Sequence, residues 1–256
     1  MHVTLSEVVR QEEDSGILWK ATKVRQMADN EYAEELPKVC FRGFDDIRNV
    51  PGNELIEELA SSYSRAGLDD TIVITRSNKL AIRYNNGIRN MVLGNEDELC
   101  SGDRLMIVKN NYYWTEKEKL PLPFIANGDR VKVERVRNIR ELYGFRFADV
   151  TMSFPDYDNI ELTATVNLNT LRSEAPALTR EESEQLYNKV MEDYQHIPLK
   201  ADRLKALRQD IYYNALQVKY AYAVTCHKAQ GGQWSHVYVD QGYMTDDMLT
   251  PEYLHW

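Results

Sequence analysis

The chain is 256 residues long, 43% hydrophobic and 28% charged, the composition of a globular protein with room for one large domain or two small ones. Its formal net charge of −9 argues against a protein that coats nucleic acid through bulk charge, while leaving room for a local basic groove. No apolar run approaches a membrane span and residues 1–10 do not read as a signal peptide; Cys40, Cys100 and Cys226 stand too far apart for a zinc knuckle or a disulfide framework, so no metal site is expected and reduced thiols in a cytoplasm are the simplest reading.

In chain order, Val3 to Val9 reads as a short strand-like edge segment ending in Arg10-Gln11. Ser15 is placed to cap a helix running to Ala28, with Ile17, Ala21, Val24 and Ala28 on one face. Pro51 has the position of a first-turn proline; Leu55, Ile56, Leu59 and Tyr63 mark a second amphipathic helix, and Gly67 ends it. Thr71 to Thr75 is a compact β-branched strand. Ser77 or Asn78 caps the next helix, which carries Leu80, Tyr84, Ile88 and Val92 and stops at Gly94. Helix, strand, helix is the grammar of an α/β domain.

That grammar then changes. Asp103 to Lys109, Gly128 to Val136, Phe145 to Phe154 and Glu161 to Thr170 all alternate like strands, and turn residues separate them; Asn127-Gly128 signals a hairpin. Several short strands without intervening helices suggest a small barrel. Thr179 followed by Glu182 is a capping box that opens a helix to about Tyr194, and Asp202 to Leu216 continues as helix. Acidic residues cluster at Glu12 to Asp14, Glu54 to Glu58, Glu96 to Glu98 and Glu181 to Glu184. Basic ones gather at Arg76, Lys79, Arg83 and Arg89, and again along Arg130, Lys132, Arg135, Arg137 and Arg140. The second group is either a solvated face or a strip that tracks a nucleic-acid backbone.

The stretch from Tyr220 to Gln241 is the most informative. Tyr220 to Cys226 is apolar and aromatic, as a buried strand of an α/β sheet should be, and His236 to Asp240 is a second strand with Val237 and Val239 alternating with polar residues. Between them lie Thr225, His227, Lys228, Gln230, Gly231, Gly232 and Gln233. The glycines let backbone approach a ligand closely, and loops at the carboxyl ends of parallel strands are where ligands sit. A hydroxyl, an imidazole, an ammonium and side-chain amides together suit phosphate oxygens. Trp234 reads as a core anchor beneath the loop rather than a stacking residue. Tyr112, Tyr113 and Trp114 either pack the barrel or stack on bases.

The stretch TCHKAQGGQW resembles the T-x-H-K-[SA]-Q-G-x-[EQ]-[FW] signature of the RecD-like branch of superfamily 1 helicases, the branch of the exodeoxyribonuclease V alpha subunit and its relatives. Three further stretches fit the same resemblance: SEVVRQ, an apolar strand ending in Arg10-Gln11; TRSNKLAIRYNNGIR, from Thr75 to Arg89; and GDRLMIVKNNY followed by IANGDRVKV, in which Lys132 stands where the family usually has glycine. The resemblance implies a RecA-like second motor domain of the P-loop-NTPase type, built on a parallel sheet, with a small SH3-like β-barrel and a helical return inserted into it. The motor domain would take residues 1–95 and 217–256, and the insert residues 96–216.

It also implies roles. Arg10 would reach the γ-phosphate of ATP, where a permanently charged guanidinium stabilises developing charge, with Gln11 beside it; the alternative is a surface arginine paired with Glu7 or Glu12. Gly232 and Gln233 would lie near the nucleotide. Thr225, His227, Lys228 and Gln230 would contact a single-stranded DNA backbone. Asn78 either only caps its helix or also approaches phosphate, with Lys79 adding charge. His227 has no carboxylate beside it in sequence to orient it as a catalytic base. No G-x-x-x-x-G-K-[ST] occurs in the chain and no acidic magnesium motif was found. ATP and Mg2+ would therefore be bound only with a first motor domain supplied from outside these residues, and the chain alone is expected to be inactive. The family usually moves 5′ to 3′, a polarity these residues do not encode. The reading from another class is a non-catalytic module that binds nucleic acid or protein through the β-rich insert.

Overall fold

In the computed structural model, residues 15–28 and 41–242 are described. They divide into two compact units, Met1–Glu58 with Gln241–Trp256, and Leu59–Asp240. In the first, helix α1 (Gly16–Ala28) starts where the sequence places it. The Ser15 hydroxyl accepts the Leu18 amide at 3.2 Å and donates to Asp46 at 2.6 Å, and the Asp46 carboxylate accepts the Gly16 amide at 2.9 Å. The Ser15 hydrogen bond holds the Asp46 carboxyl below its usual range, against the cost of burial. The expected apolar face of this helix is not a core stripe: Ile17 is 47% exposed and Ala21 is exposed as well. Trp19 instead rests on Phe44 at 5.7 Å.

The second unit holds the parallel sheet and the barrel. It begins within α2 (Leu55–Ala66), whose Leu59 and Tyr63 are buried and whose end is marked by Gly67 at φ +87°. Strand β1 (Thr71–Thr75) matches the β-branched run and pairs in parallel on both sides, with β7 (Ala223–Thr225) and with β8 (His236–Asp240). Helix α3 (Asn78–Gly87) follows, capped by Ser77, whose hydroxyl accepts the Leu80 amide at 3.2 Å. It passes into a π turn at Ile88–Val92 and stops before Gly94 at φ +68°.

Strands β2 (Arg104–Ile107), β3 (Arg130–Leu142), β4 (Phe145–Phe154), β5 (Ile160–Asn167) and β6 (Leu216–Tyr220) close a barrel. All four strands expected between residues 103 and 170 are present. The inward residues of the barrel, among them Leu105, Val133, Val150, Met152, Val166 and Val218, are essentially inaccessible to solvent. Period-2 alternation thus does its work of separating an inner from an outer face.

Three expectations fail here, each for a physical reason. Asn127-Gly128 is not a two-residue hairpin turn. Strands β2 and β3 do pair antiparallel, with Leu105 opposite Val131, but the connection between them is long and holds helix α4 (Tyr113–Lys117) and the isolated Asn111–Ile125 bridge. The tight hairpin is Tyr143-Gly144, with φ of +60° and +80° and Leu142 opposite Phe145; both central residues are left-handed, as a right-twisted ribbon prefers. Tyr143 tolerates that backbone while its ring packs on Tyr212 and its hydroxyl donates to Asp193. The helical return does not reach Leu216. After the short α5 (Asn169–Arg172), α6 (Arg180–Asp193) opens with the Thr179/Glu182 capping box, and α7 (Lys200–Arg208) then ends. The Asp210 carboxylate accepts the amides of Tyr212 and Tyr213 at 2.8 Å each, turning the chain out of the helix.

Tyr220 to Cys226 is also not one strand. Tyr220 ends β6 in the barrel, and β7 (Ala223–Thr225) begins in the parallel sheet. A buried network holds the joint between them. Asp103, fully buried, accepts Arg89 Nε at 2.9 Å and Nη2 at 2.8 Å, the Tyr222 hydroxyl at 2.8 Å and the Cys100 amide at 2.8 Å. The Arg89 guanidinium also lies over the Tyr220 ring at 4.4 Å. Arg89, grouped by sequence with the surface basic residues, is therefore 4% exposed and serves the joint. No helix among the described residues is long and apolar enough to cross a membrane.

Candidate nucleic-acid interface

The carboxyl edge of the parallel sheet brings three chain segments together. Thr75 of β1 stands in register with Thr225 of β7 on one side and with Asp240 of β8 (His236–Asp240) on the other. From this edge the chain runs from β1 into α3, and from β7 into the single turn α8 (Cys226–Ala229). Asn78, Lys79, Thr225, His227 and Lys228 thus start from neighbouring strand ends although some 150 residues of sequence separate the two groups. The Thr75 hydroxyl stays inside, 3.1 Å from the Ser77 carbonyl and 3.4 Å from that of Val224.

Ser77 takes the capping role, which leaves the half-buried Asn78 side chain without a hydrogen-bond partner among the described residues. Lys79 is exposed and 3.9 Å from Glu174, a surface pair worth well under ~1 kcal/mol. Thr225 sits at the start of α8, and its side chain makes no capping bond. His227 and Gln230 are exposed, and the His227 ring is 3.9 Å from the Cys226 sulfur. Lys228 is half-buried and donates to Asn127 Oδ1, from the segment that leads into β3; burial pulls its pKa below the ordinary lysine value. Asn127, read from sequence as a turn-former, is thus the acceptor that ties this loop to the barrel, while its own amide donates to Asn110 at 2.7 Å.

The two loop glycines answer to different constraints. Gly231 has φ +82° with open space around it, so its backbone conformation selects glycine. At Gly232 a Cβ would fall 2.0 Å from the Trp234 ring, so here it is packing that selects glycine. Trp234 packs against the buried cluster of Ile72, Met106, Ala221 and Val224, with the Arg130 guanidinium 5.6 Å from its ring centroid. It anchors the loop from beneath, as expected. Ser235 then closes the loop on Asp70 through its amide at 3.0 Å and its hydroxyl at 2.5 Å; those bonds, hydroxyl first, hold the Asp70 carboxyl low. The exit strand differs from expectation: Val237 and Val239 are 45% and 64% exposed, while the other face turns Tyr238 and His236 onto Ser62.

The basic strip on β3 is largely neutralised within the molecule. Arg130 pairs with Asp156 at 3.0 Å, Lys132 with Glu134 at 3.0 Å and Arg140 with Asp149 at 2.7 Å. Arg135 and Arg137 remain exposed without an ion pair among the described residues. Of the aromatic trio, Trp114 is 3% exposed with its indole N–H on the Asn214 carbonyl, and Tyr113 donates to the Gln209 carbonyl. Tyr112 alone is largely open, at 60%. Arg10 and Gln11 lie outside the described residues, and nothing follows about their placement.

The loop is therefore a surface feature, clamped at its entrance by β7, in its middle by Lys228 on Asn127, and at its exit by Trp234 and Ser235. Clamped backbone with exposed imidazole and side-chain amide groups beside a half-buried ammonium is suited to an anionic chain held at several points. Residues 220–256, which include the whole loop and β8, match the family described as the UvrD-like helicase C-terminal domain. That similarity covers well under half of the chain, and it supports kinship with the superfamily 1 helicases. No curated protein matches the chain.

Proposed function

We propose that this chain carries the second motor domain of an ATP-dependent superfamily 1 DNA helicase of the RecD-like type, which translocates on single-stranded DNA. The observation that supports this most is the similarity of residues 220–256 to the UvrD-like helicase C-terminal domain, because that stretch includes the clamped loop. In this reading Thr225, His227, Lys228 and Gln230 hold successive backbone phosphates, and Asn78 and Lys79 contact the same strand from the neighbouring strand end. The motor domain comprises residues 1–95 and 217–256 and the SH3-like insert residues 96–216, save that Leu216–Tyr220 completes the barrel.

ATP with Mg2+, when bound, would supply the phosphoryl-transfer energy of the cycle. The described residues offer it the exposed Gln233 side chain and the Gly231–Gly232 backbone, which suit a ribose or a phosphate edge but are not a phosphate cradle; the lack of a side chain at Gly232 is already used by Trp234. In this reading a phosphate-binding first motor domain completes the site, and Arg10 and Gln11 take their expected roles at the nucleotide. Alone, the chain binds the strand and does not hydrolyse ATP.

The ion pairs along β3 favour one other reading, a non-catalytic module that binds through the barrel, since they leave little free positive charge for DNA. Binding of a fluorescein-labelled oligo(dT) strand, followed by anisotropy across a salt series, separates the two. Lys228→Ala should weaken binding by about 10-fold or more, the scale of a lost charge-assisted hydrogen bond, and reduce the salt slope by about 0.7. Lys189→Ala, which removes the same charge from the exposed face of α6, should do neither. Unchanged affinity and slope in Lys228→Ala would sink the helicase reading.

A further inference from the structure

We propose that the exposed Tyr112 ring, backed by the half-buried Phe124 on the segment between β2 and β3, is a base-stacking platform for the same single strand that the Lys228 loop holds. The inference rests on the nucleic-acid reading above and adds a site on the barrel side. The ring centroids lie 5.0 Å apart with the planes tilted by 31°, so that Phe124 is in contact with the Tyr112 ring. Tyr112 is 60% exposed, and its hydroxyl has no partner among the described residues. A tyrosine meant only for packing would bury this ring, as Trp114 does two positions later at 3% exposure.

The backbone beneath the pair is fixed on both sides. Asn111 and Ile125 exchange two hydrogen bonds at 2.9 and 2.8 Å, and Ile125 is fully buried. The Asn111 side chain accepts the Trp114 amide at 3.0 Å and donates to the Asn214 carbonyl at 3.0 Å, while the Thr115 hydroxyl donates to the Tyr112 carbonyl at 2.9 Å. The backbone that carries the ring is therefore set before any ligand arrives, which lowers the ordering entropy that opposes stacking.

The pair is also continuous with the loop. Lys228 donates to Asn127, and the Asn127 amide donates to Asn110. Tyr112 is two residues from Asn110, at most ~7 Å of chain, or about two stacked bases at ~3.4 Å each. A strand whose phosphate is held near Lys228 can thus lay a nearby base on Tyr112. Charge contributes little: Lys109, Lys117 and Lys119 are exposed beside the equally exposed Glu116 and Glu118. The ligand chemistry is a flat, unpaired base, not a duplex backbone.

The test uses the full chain with labelled oligo(dT) and with a strand of the same length made abasic throughout. Tyr112→Ala should weaken oligo(dT) binding by about 5- to 140-fold, which is ~1–3 kcal/mol per base at 1.4 kcal/mol per tenfold, and leave the salt slope unchanged. Tyr112→Phe should bind like the unmodified chain, and on the abasic strand Tyr112→Ala should lose nothing. If Tyr112→Ala equals the unmodified chain on oligo(dT) while Lys228→Ala is weakened, the platform is wrong and the loop reading stands. If the unmodified chain binds neither strand, both are wrong. Equal losses for Tyr112→Ala on both strands also refute stacking, because the abasic strand has no base to stack.

Discussion

Replacing Asp103 by Asn changes no volume and removes one charge, yet it should be among the most damaging single changes in this protein. The carboxylate is fully buried and accepts four short hydrogen bonds, two of them from an Arg89 guanidinium that is itself 4% exposed. Arg89 is driven above its ordinary pKa: burial opposes the charge most strongly, but the Asp103 hydrogen bonds and the charge interactions with Tyr220, Asp103 and Cys100 together outweigh it. Breaking a buried pair from one side leaves an uncompensated charge, at a cost of ~3–5 kcal/mol, and Arg89→Met should cost about the same from the other side. The double variant Arg89→Met/Asp103→Leu removes both charges together. What remains is the loss of acceptors for the Tyr222 hydroxyl and the Cys100 amide, ~1–3 kcal/mol each. It should therefore cost ~2–6 kcal/mol, against ~6–10 for independent single changes. Urea unfolding followed by tryptophan fluorescence measures all three. Against a typical total of ~5–15 kcal/mol, each single variant should shift the midpoint far to low urea. Because the network fixes the step from β6 to β7, amide exchange at Val224 and Thr225 should quicken too. Single variants that cost under ~1 kcal/mol, or a double variant equal to their sum, would refute the idea that a buried charge pair holds this joint.

The glycines of the loop separate two causes of destabilisation. Gly232→Ala must push the Trp234 ring off its cluster and should cost ~1–3 kcal/mol, with a shift in tryptophan emission. Gly231→Ala meets only a left-handed backbone and should cost ~1 kcal/mol with unchanged emission; identical spectra and identical midpoints would contradict the assignment. Lys219 provides a pH signature. Burial pulls its amine down to about 8, while its Nζ donates to the carbonyls of Thr170 and Ser173. The unfolded chain then binds the extra proton between about pH 8 and the ordinary lysine value, so stability should rise with pH in that window. The difference in urea midpoint between the unmodified chain and Lys219→Met, taken from pH 7.5 to 9.5, isolates this group; no pH dependence in that difference would show that Lys219 is not depressed.

Much of the architecture can be read along the chain because it is encoded within a few residues. Thr71–Thr75 is β-branched throughout, Thr179 and Glu182 cap each other across three positions, Gly67 and Gly94 sit where left-handed backbone ends a helix, and four alternating runs become four barrel strands. The surface position of the Thr225–Gln233 loop at the carboxyl edge of a parallel sheet was legible in the same way, since strand, polar loop and strand leave the loop at a strand end.

Partnership across the fold was not legible. Arg89 and Arg135 look alike in sequence, and only the arrival of Asp103 and Tyr220 buries the first. Tyr220 and Val224 look like one strand until two different sheets claim them. Lys228 meets an acceptor 101 residues away, and the space above Gly232 is filled by a ring. Hydrophobic period, caps and turn residues act through local backbone geometry, which any short stretch carries with it. Ion pairing, strand allegiance and exposure depend on what the closed barrel and the three-stranded sheet bring alongside, and that is set only when chain segments far apart in sequence come into contact.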